Sequence, residues 1–342
     1  MAAHRIGAER FARILVVSFV VGPTSVGLAY RWLADPNVIH LAAAMPEAGG
    51  WQPGDLTAAV GEPLRLRLTS DDVVHGFAIG HSDTPAVDVK PGQVTDLSLR
   101  FDSAGTYTFY CTRWCGPDHW RMRGTIEVTG QGPALDSVPP PLYVTLGADL
   151  DAPHTVDVRP QRVPSAVRGA SLGVTIPTGY VVRDYVRGHS PLAAWQALRT
   201  ERRTADLSDA DVWDLVAAIW RLSTTIETVQ EGRQLYAENC AACHGEAGAG
   251  DGVMAGALQD RDVSEDDDES GPGFVSQITT PADFTRTDLL GASPAMLQGK
   301  ILRGGMGTGM PYWGPIFTDV QTWALVDFLW SFQFRYNEEM AR

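Results

Sequence analysis

Basic charge is scarce in this chain. Lysine and arginine number 27 against 41 aspartates and glutamates, which leaves a net charge of −14. That excludes the basic footprint on which nucleic-acid binding depends, and it suits a partner with a basic docking face. Cysteine is scarcer, four in 342 residues. The four form two close pairs, Cys111 with Cys115 and Cys240 with Cys243. Closing such short loops would staple little structure, so metal and cofactor readings start level with a disulfide reading. Histidine numbers eight, few and scattered, which excludes a catalytic cluster built from many imidazoles.

Charge is missing altogether from Ile14 to Tyr30, a run preceded by Arg5, Arg10 and Arg13. A membrane-spanning helix needs ~20 apolar residues, ~17 at the short end, and the run with its flanks reaches that length. Gly22-Pro23 weakens the helix but is tolerated in a span. The arginines would stay on the cytoplasmic side. The expectation is a single N-terminal anchor, residues 1–34, in the cytoplasmic (inner) membrane, with the rest on the periplasmic or extracellular side. The rival is a cleaved signal peptide cut near Ala42 to Ala44; either way the body is exported.

Residues 52–129 carry a period of two. Leu64, Leu66 and Leu68 share one face, as do Leu97, Leu99 and Phe101, then Tyr107, Phe109 and Cys111, then Ile126 and Val128. With turns such as KPGQ and DSAG, this predicts an all-β sandwich over 35–130. Residues 130–141, GQGPALDSVPPP, read as a linker. From 142 to 204 the pattern is poor, with β-like pieces YVTL, LGVTI and YVVRDYV and then a helical PLAAWQALR.

From 207 on the pattern is helical. LSDADVWDLVAAIWRLS offers Ser208 or Asp209 as N-cap and a 3.6-residue apolar stripe. Set on the C-terminal FTDVQTWALVDFLWSF, it aligns Trp213 with Trp323, Leu215 with Leu325, Val216 with Val326 and Trp220 with Trp330. The segment 131–226 is therefore a candidate degenerate copy of the last domain, 227–342. It has no Cys or Met between 142 and 226, so it could not hold a cofactor in the same way; two similar amphipathic helices arising by chance is the other reading. Gln259 to Gly273 is polar and reads as a solvated loop.

The stretch YCTRWCGPDHWRM places Cys111, Cys115, His119 and Met122 on one loop leaving one strand. Thiolate, imidazole and thioether together select copper, and two cysteines in such a loop can bridge two copper ions. A second imidazole must come from elsewhere: His75, at the end of an alternating strand, with His81 as a weaker rival. The spacing C-x-x-x-C-x-x-x-H-x-x-M, preceded by DVVHGF, resembles the binuclear CuA domain of haem-copper oxidase subunit II, a cupredoxin-like sandwich. The resemblance covers about residues 50–130. It implies His75, Cys111, Cys115, His119 and Met122 as side-chain ligands and Arg113 as a backbone-carbonyl ligand. That middle position is often Glu in the family; with Arg here, no magnesium is expected.

YAENCAACHG holds C-x-x-C-H, the spacing of covalent haem c attachment. Cys240 and Cys243 would form the thioethers and His244 would bind iron. Gly232 and Tyr236 lie four apart on one helix face before it. This region resembles class I cytochromes c, whose glycine lets the first and last helices cross closely. A thioether from RGGMGTGMPYWG would complete the iron and raise its potential. Met310, before Pro311, is preferred to Met306; Met254 is too close to His244 in sequence, and Met296 reads as helix packing. Pro281 is a weak candidate to support His244.

The combined resemblance implies a multidomain chain: an N-terminal transmembrane helix, an all-β cupredoxin-like domain, then an all-α cytochrome c domain. It implies binuclear copper, one covalent haem c and no catalytic residue of its own. The partners implied are a membrane-embedded catalytic subunit I holding haem with copper or iron, a soluble donor (a basic cytochrome c or a cupredoxin), and the lipid bilayer. The expected role is electron input to a terminal oxidase. The equivalent subunit of a nitric oxide reductase, and a free-standing membrane-tethered carrier, are the alternatives.

Overall fold

The computed structural model describes residues 37–82, 84–113, 115–116, 119–133, 140–256, 280–305 and 309–336. The expected anchor, the acidic loop Gln259 to Gly273 and Met306 lie outside them. Among the described residues, no helix is long and apolar enough to cross a membrane.

Alternation in the sequence becomes a two-sheet sandwich. Its strands are β1 (Val38–Ala43), β2 (Trp51–Gln52), β3 (Asp55–Ala59), β4 (Pro63–Ser70), β5 (His75–Ile79), β6 (Val87–Val89), β7 (Thr95–Arg100), β8 (Gly105–Tyr110) and β9 (Arg123–Thr129). One sheet runs β2-β1-β4-β7 and the other β3-β9-β8-β5-β6. Inward positions fill the space between them: Leu66 and Leu68 from one sheet, Phe77, Phe109 and Ile126 from the other, all nearly solvent-free. Cys111 follows β8 in phase with Tyr107 and Phe109, so the period that builds the core also delivers the thiol to its edge. His75 departs from expectation. It opens β5 rather than ending an alternating strand, and all five β5 positions are buried, because that strand lies between β8 and β6.

The helical half holds α1 (Ala166–Ser171), α2 (Pro191–Arg199), α3 (Asp209–Leu222), α4 (Ile226–Asn239), α5 (Pro294–Arg303) and α6 (Asp319–Leu329), with shorter turns between. The Ser208 hydroxyl caps α3 by accepting from the Asp211 N–H, which settles the N-cap on serine. Thr318 closes a reciprocal capping box with Gln321 on α6. The β-like pieces of the middle segment are not strands. YVT forms part of a helical turn at Leu142–Thr145, and Thr178–Val181 and Arg183–Gly188 are short helices. β-propensity yields there to packing: Val186 is buried and Val181 and Tyr185 rest on the helical core.

Two helix crossings organise this half, α4 against α6 and α1 against α3. Each depends on a glycine. A Cβ at Gly232 would overlap the Ala324 carbonyl, and one at Gly169 would overlap the Asp214 carbonyl. Gly232→Ala is expected to cost about 1–3 kcal/mol through overpacking, read as a lowered thermal midpoint of the full chain. An unchanged midpoint would show that the crossing relaxes freely. One apolar cluster spans both crossings, with Trp220 meeting Trp330 edge to face at 6.0 Å.

Candidate metal centre and haem site

The copper ligands expected from sequence converge on the rim of the sandwich. The Cys111 and Cys115 sulfurs stand 3.9 Å apart, too far for a disulfide, whose sulfurs sit ~2.05 Å apart. Around them lie His75 Nδ1, 3.8 Å from Cys111 Sγ, and the Arg113 carbonyl, 3.2 Å from the same sulfur. On the other side are His119 Nδ1, 4.0 Å from Cys115 Sγ, and Met122 Sδ, 3.6 Å from it. Each sulfur therefore has one imidazole and one weaker donor at its outer side. Buried thiol, imidazole and thioether donors gathered in this way fit copper. His75, His119, Cys111, Cys115 and Met122 are all buried.

Electrostatics point the same way. Without a cation the two sulfurs cannot both be bare anions. Their mutual hydrogen bond draws the Cys111 thiol well below its usual range and pushes Cys115 above it. Burial pulls His75 down, but hydrogen bonds to Cys111 and Asp72 outweigh it and the net shift is upward.

Sequence reading missed the residues that hold these ligands. Asp72 Oδ1 lies 2.7 Å from His75 Nε2. Its other oxygen accepts from the Met45 N–H at 2.6 Å. A carboxylate on the far ring nitrogen leaves Nδ1 of the neutral imidazole facing the sulfurs. The only sequence signal was spacing, Asp72 three residues before His75. Trp51 Nε1 donates to the Met122 carbonyl at 3.2 Å, a contact 71 residues apart that no local pattern reveals. Among the described residues His81 joins no cluster of metal donors; its Nε2 donates to the Gly314 carbonyl at 2.7 Å.

The second site is a cavity of about 220 Å³ whose lining includes Cys240, Cys243, His244, Met310, Pro311 and Trp313. His244 Nδ1–H donates to the Ala282 carbonyl at 3.0 Å, which leaves Nε2 for iron. The support comes from Ala282, one residue beyond the Pro281 considered from sequence. Burial lowers the His244 pKa, favouring the neutral ring a metal needs. Burial also pushes the Cys240 thiol up to about 12, an environment for neutral thioether sulfur. Met254 is buried, and Met296 packs on the helical core. Tyr236, buried beside Gly232, donates its hydroxyl to the Gly245 carbonyl at 2.7 Å. That bond ties the turn after C-x-x-C-H to α4. Two thiols at C-x-x-C spacing, an oriented imidazole and Met310 all line this one cavity, a donor set that fits haem c.

A cupredoxin-like sandwich with this donor cluster, followed by a cytochrome c-type helical region, defines an electron-transfer protein. Comparison with known proteins agrees. Residues 55–129 match the family model described as cytochrome c oxidase subunit II, periplasmic domain. Residues 227–329 match that of cytochrome c oxidase, cbb3-type, subunit III. Cytochrome c oxidase subunit 2 of Thermus thermophilus is 36% identical over 116 residues, 32% of this chain and 84% of that protein. Alternative cytochrome c oxidase subunit 2 of Bradyrhizobium diazoefficiens is 33% identical over 78 residues, 23% of this chain and 28% of that protein. A solved periplasmic domain of oxidase subunit II from Bradyrhizobium japonicum is 20% identical, over 29% of this chain and 87% of that one, at a TM-score of 0.23. The chain belongs to the cytochrome c oxidase subunit II family, and so to an oxidoreductase complex.

Proposed function

We propose that this chain is the electron-input subunit of a respiratory terminal oxidase. In this reading electrons arrive at the haem domain from a soluble donor, cross to the cupredoxin domain and leave to a membrane-embedded catalytic subunit. His75, Cys111, Cys115, His119, Met122 and the Arg113 carbonyl would hold binuclear copper. Cys240 and Cys243 would anchor haem c, with His244 and Met310 on its iron. When bound, the two groups supply reversible one-electron chemistry. The protein would supply exclusion of water, a fixed donor geometry and one thioether at each of the two centres.

The observation that carries the reading is adjacency. A cavity of about 270 Å³ is lined both by Thr112, Arg113 and His119 and by Asn239, Ala242 and Cys243. The copper loop and the haem-attachment turn thus border the same cavity. Oxygen is favoured over nitric oxide as terminal acceptor because the relatives are named as oxidase subunits. A single N-terminal span over residues 1–34, with the soluble domains outside, completes the proposal.

Residues 131–226 are read as a haem-less copy of the last domain. With Trp213 set on Trp323, Asp214 aligns with Ala324, and these are the residues that Gly169 and Gly232 cross. The equivalent Trp220 and Trp330 touch each other, as equivalent residues do about a two-fold axis. Where the haem domain has Ala324, the copy carries buried Asp214, which accepts from Arg168 Nε and Nη2, each at 2.8 Å, and from Arg162 Nη2 at 2.6 Å.

The test is reduction kinetics with a basic donor across a salt series. Exposed charge attraction fades beyond a Debye length of ~8 Å at physiological salt, so reduction of the acidic chain should slow as salt rises. In Cys240→Ser/Cys243→Ser, which cannot anchor haem, copper reduction by the same donor should be at least about tenfold slower, as expected when the docked route is lost. Equal copper reduction rates in the two proteins would show that the haem domain is not the input port.

A further inference from the structure

The segment 309–316 carries Met310 near its start and a set of contacts to the copper domain after it. On one side α5 and its flank hold it. The Trp313 and Gly314 N–H groups donate to the Ile301 and Leu302 carbonyls, each at 3.1 Å. On the other side lies the sandwich. Arg123 Nη1 donates to the Tyr312 carbonyl at 3.0 Å, and its guanidinium sits 5.3 Å from both the Tyr312 and Trp313 ring centroids, within cation–π range. Arg123 Nη2 is buried and has no hydrogen-bond partner among the described residues. His81 contributes twice, its N–H to the Ile316 carbonyl at 3.0 Å and its ring to Gly314. Gly80 lies so close that a Cβ there would run into the Pro315 carbonyl.

Two features mark this contact as built. His81 is the only non-glycine residue at positive φ (+56°) among the described residues. That backbone is uncommon outside Asn, Asp, His and Gly, and it brings the Cβ of a side chain close to the following carbonyl oxygen. Arg123 directly follows Met122, so the guanidinium that grips Tyr312 extends from the strand that begins next to the copper thioether. The carbonyl it grips is two residues beyond Met310. The two thioethers proposed for the two metals are therefore each one or two residues from the same hydrogen bond.

We propose that Arg123 and His81 form a latch through which the copper domain holds the Met310 loop in place, so that the sixth ligand of the haem iron is secured partly by the neighbouring domain. Arg123 and His81 are positioning residues: they touch neither metal. The inference rests on Met310 being the iron ligand. It gives a role to a histidine of the copper fold that lies outside the donor cluster, and to an arginine buried with one nitrogen left over. A loop gripped from both sides cannot swing its thioether away without breaking contacts to both domains.

The experiment uses the full chain with both cofactors bound and compares Arg123→Leu, His81→Gly and Met310→Ala. Glycine accepts the positive φ at position 81, so His81→Gly removes the imidazole without straining the backbone. Copper absorption and covalent haem content serve as folding checks. The readouts are the thioether-to-iron charge-transfer band of the oxidised haem and carbon monoxide binding to the reduced haem. A hydrogen bond to a charged group contributes enough that its loss should raise the carbon monoxide-reactive fraction roughly tenfold in Arg123→Leu. His81→Gly should shift the same way, and it decides the matter if Arg123→Leu does not load copper. Met310→Ala should open fully. If Met310→Ala opens while the latch variants keep the wild-type band and stay closed, the latch is wrong and the ligand assignment stands. If Met310→Ala stays closed, the assignment fails and the latch with it.

Discussion

Cys115→Ser should abolish the mixed-valence copper signal while leaving haem c attached. Cys115 Sγ is the atom on which one half of the site is centred, 3.9 Å from Cys111 Sγ, 3.6 Å from Met122 Sδ and 4.0 Å from His119 Nδ1. Serine keeps the shape but replaces a soft, polarisable sulfur with a hard oxygen, a poor match for copper beside thioether and imidazole. One remaining thiolate at Cys111 cannot bridge two ions as a pair does, so loss should be near complete rather than graded. The fold should survive, because the core around Phe77, Phe109 and Ile126 is untouched. Haem content should be unchanged, because Cys240, Cys243 and His244 lie in the helical half. Electron paramagnetic resonance and haem quantification on the same sample decide it. A persisting delocalised two-copper signal would remove Cys115 from the centre.

Much of this site could be read from the sequence because its signals are local or periodic. Cys111, Cys115, His119 and Met122 fall on one loop, and the period of two put Cys111 in phase with Phe109. C-x-x-C-H is contiguous. The helix crossing at Gly232 was expected from the resemblance to class I cytochromes c, not from spacing, and the Ala324 carbonyl lies where its Cβ would be. What stayed hidden was held by long-range contacts. Trp51 reaches the Met122 carbonyl across 71 residues, and Arg123 reaches Tyr312 across 189. His81 looked like a spare ligand because an imidazole near a copper site is indistinguishable, in one dimension, from one that donates to a distant carbonyl. The middle segment misled for another reason. Val and Tyr favour strands where a pleated surface is available, but around Val181, Tyr185 and Val186 the available surface is a helical core.

Met310→Ala should leave haem covalently attached, lower its potential and open the iron to external ligands. Attachment depends on Cys240 and Cys243, and His244 keeps its ring direction through the Ala282 carbonyl, so one face of the haem is unaffected. The other face loses its only proposed donor. A thioether stabilises the reduced iron and raises the potential, so removing it should lower the potential by a sizeable part of the ~0.8 V over which axial ligands tune haem. The direction matters for function. A haem that becomes too reducing still passes electrons downhill to copper, but it is harder for the donor to reduce. Overall input should therefore fall at the first step while haem-to-copper transfer persists. Redox titration, carbon monoxide binding and single-turnover reduction separate these effects. Should a Met306 variant show the low potential and open iron while Met310→Ala does not, the sixth ligand belongs to Met306. The contacts of Tyr312 and Gly314 with the copper domain would then secure only the haem domain's docking, not its ligand.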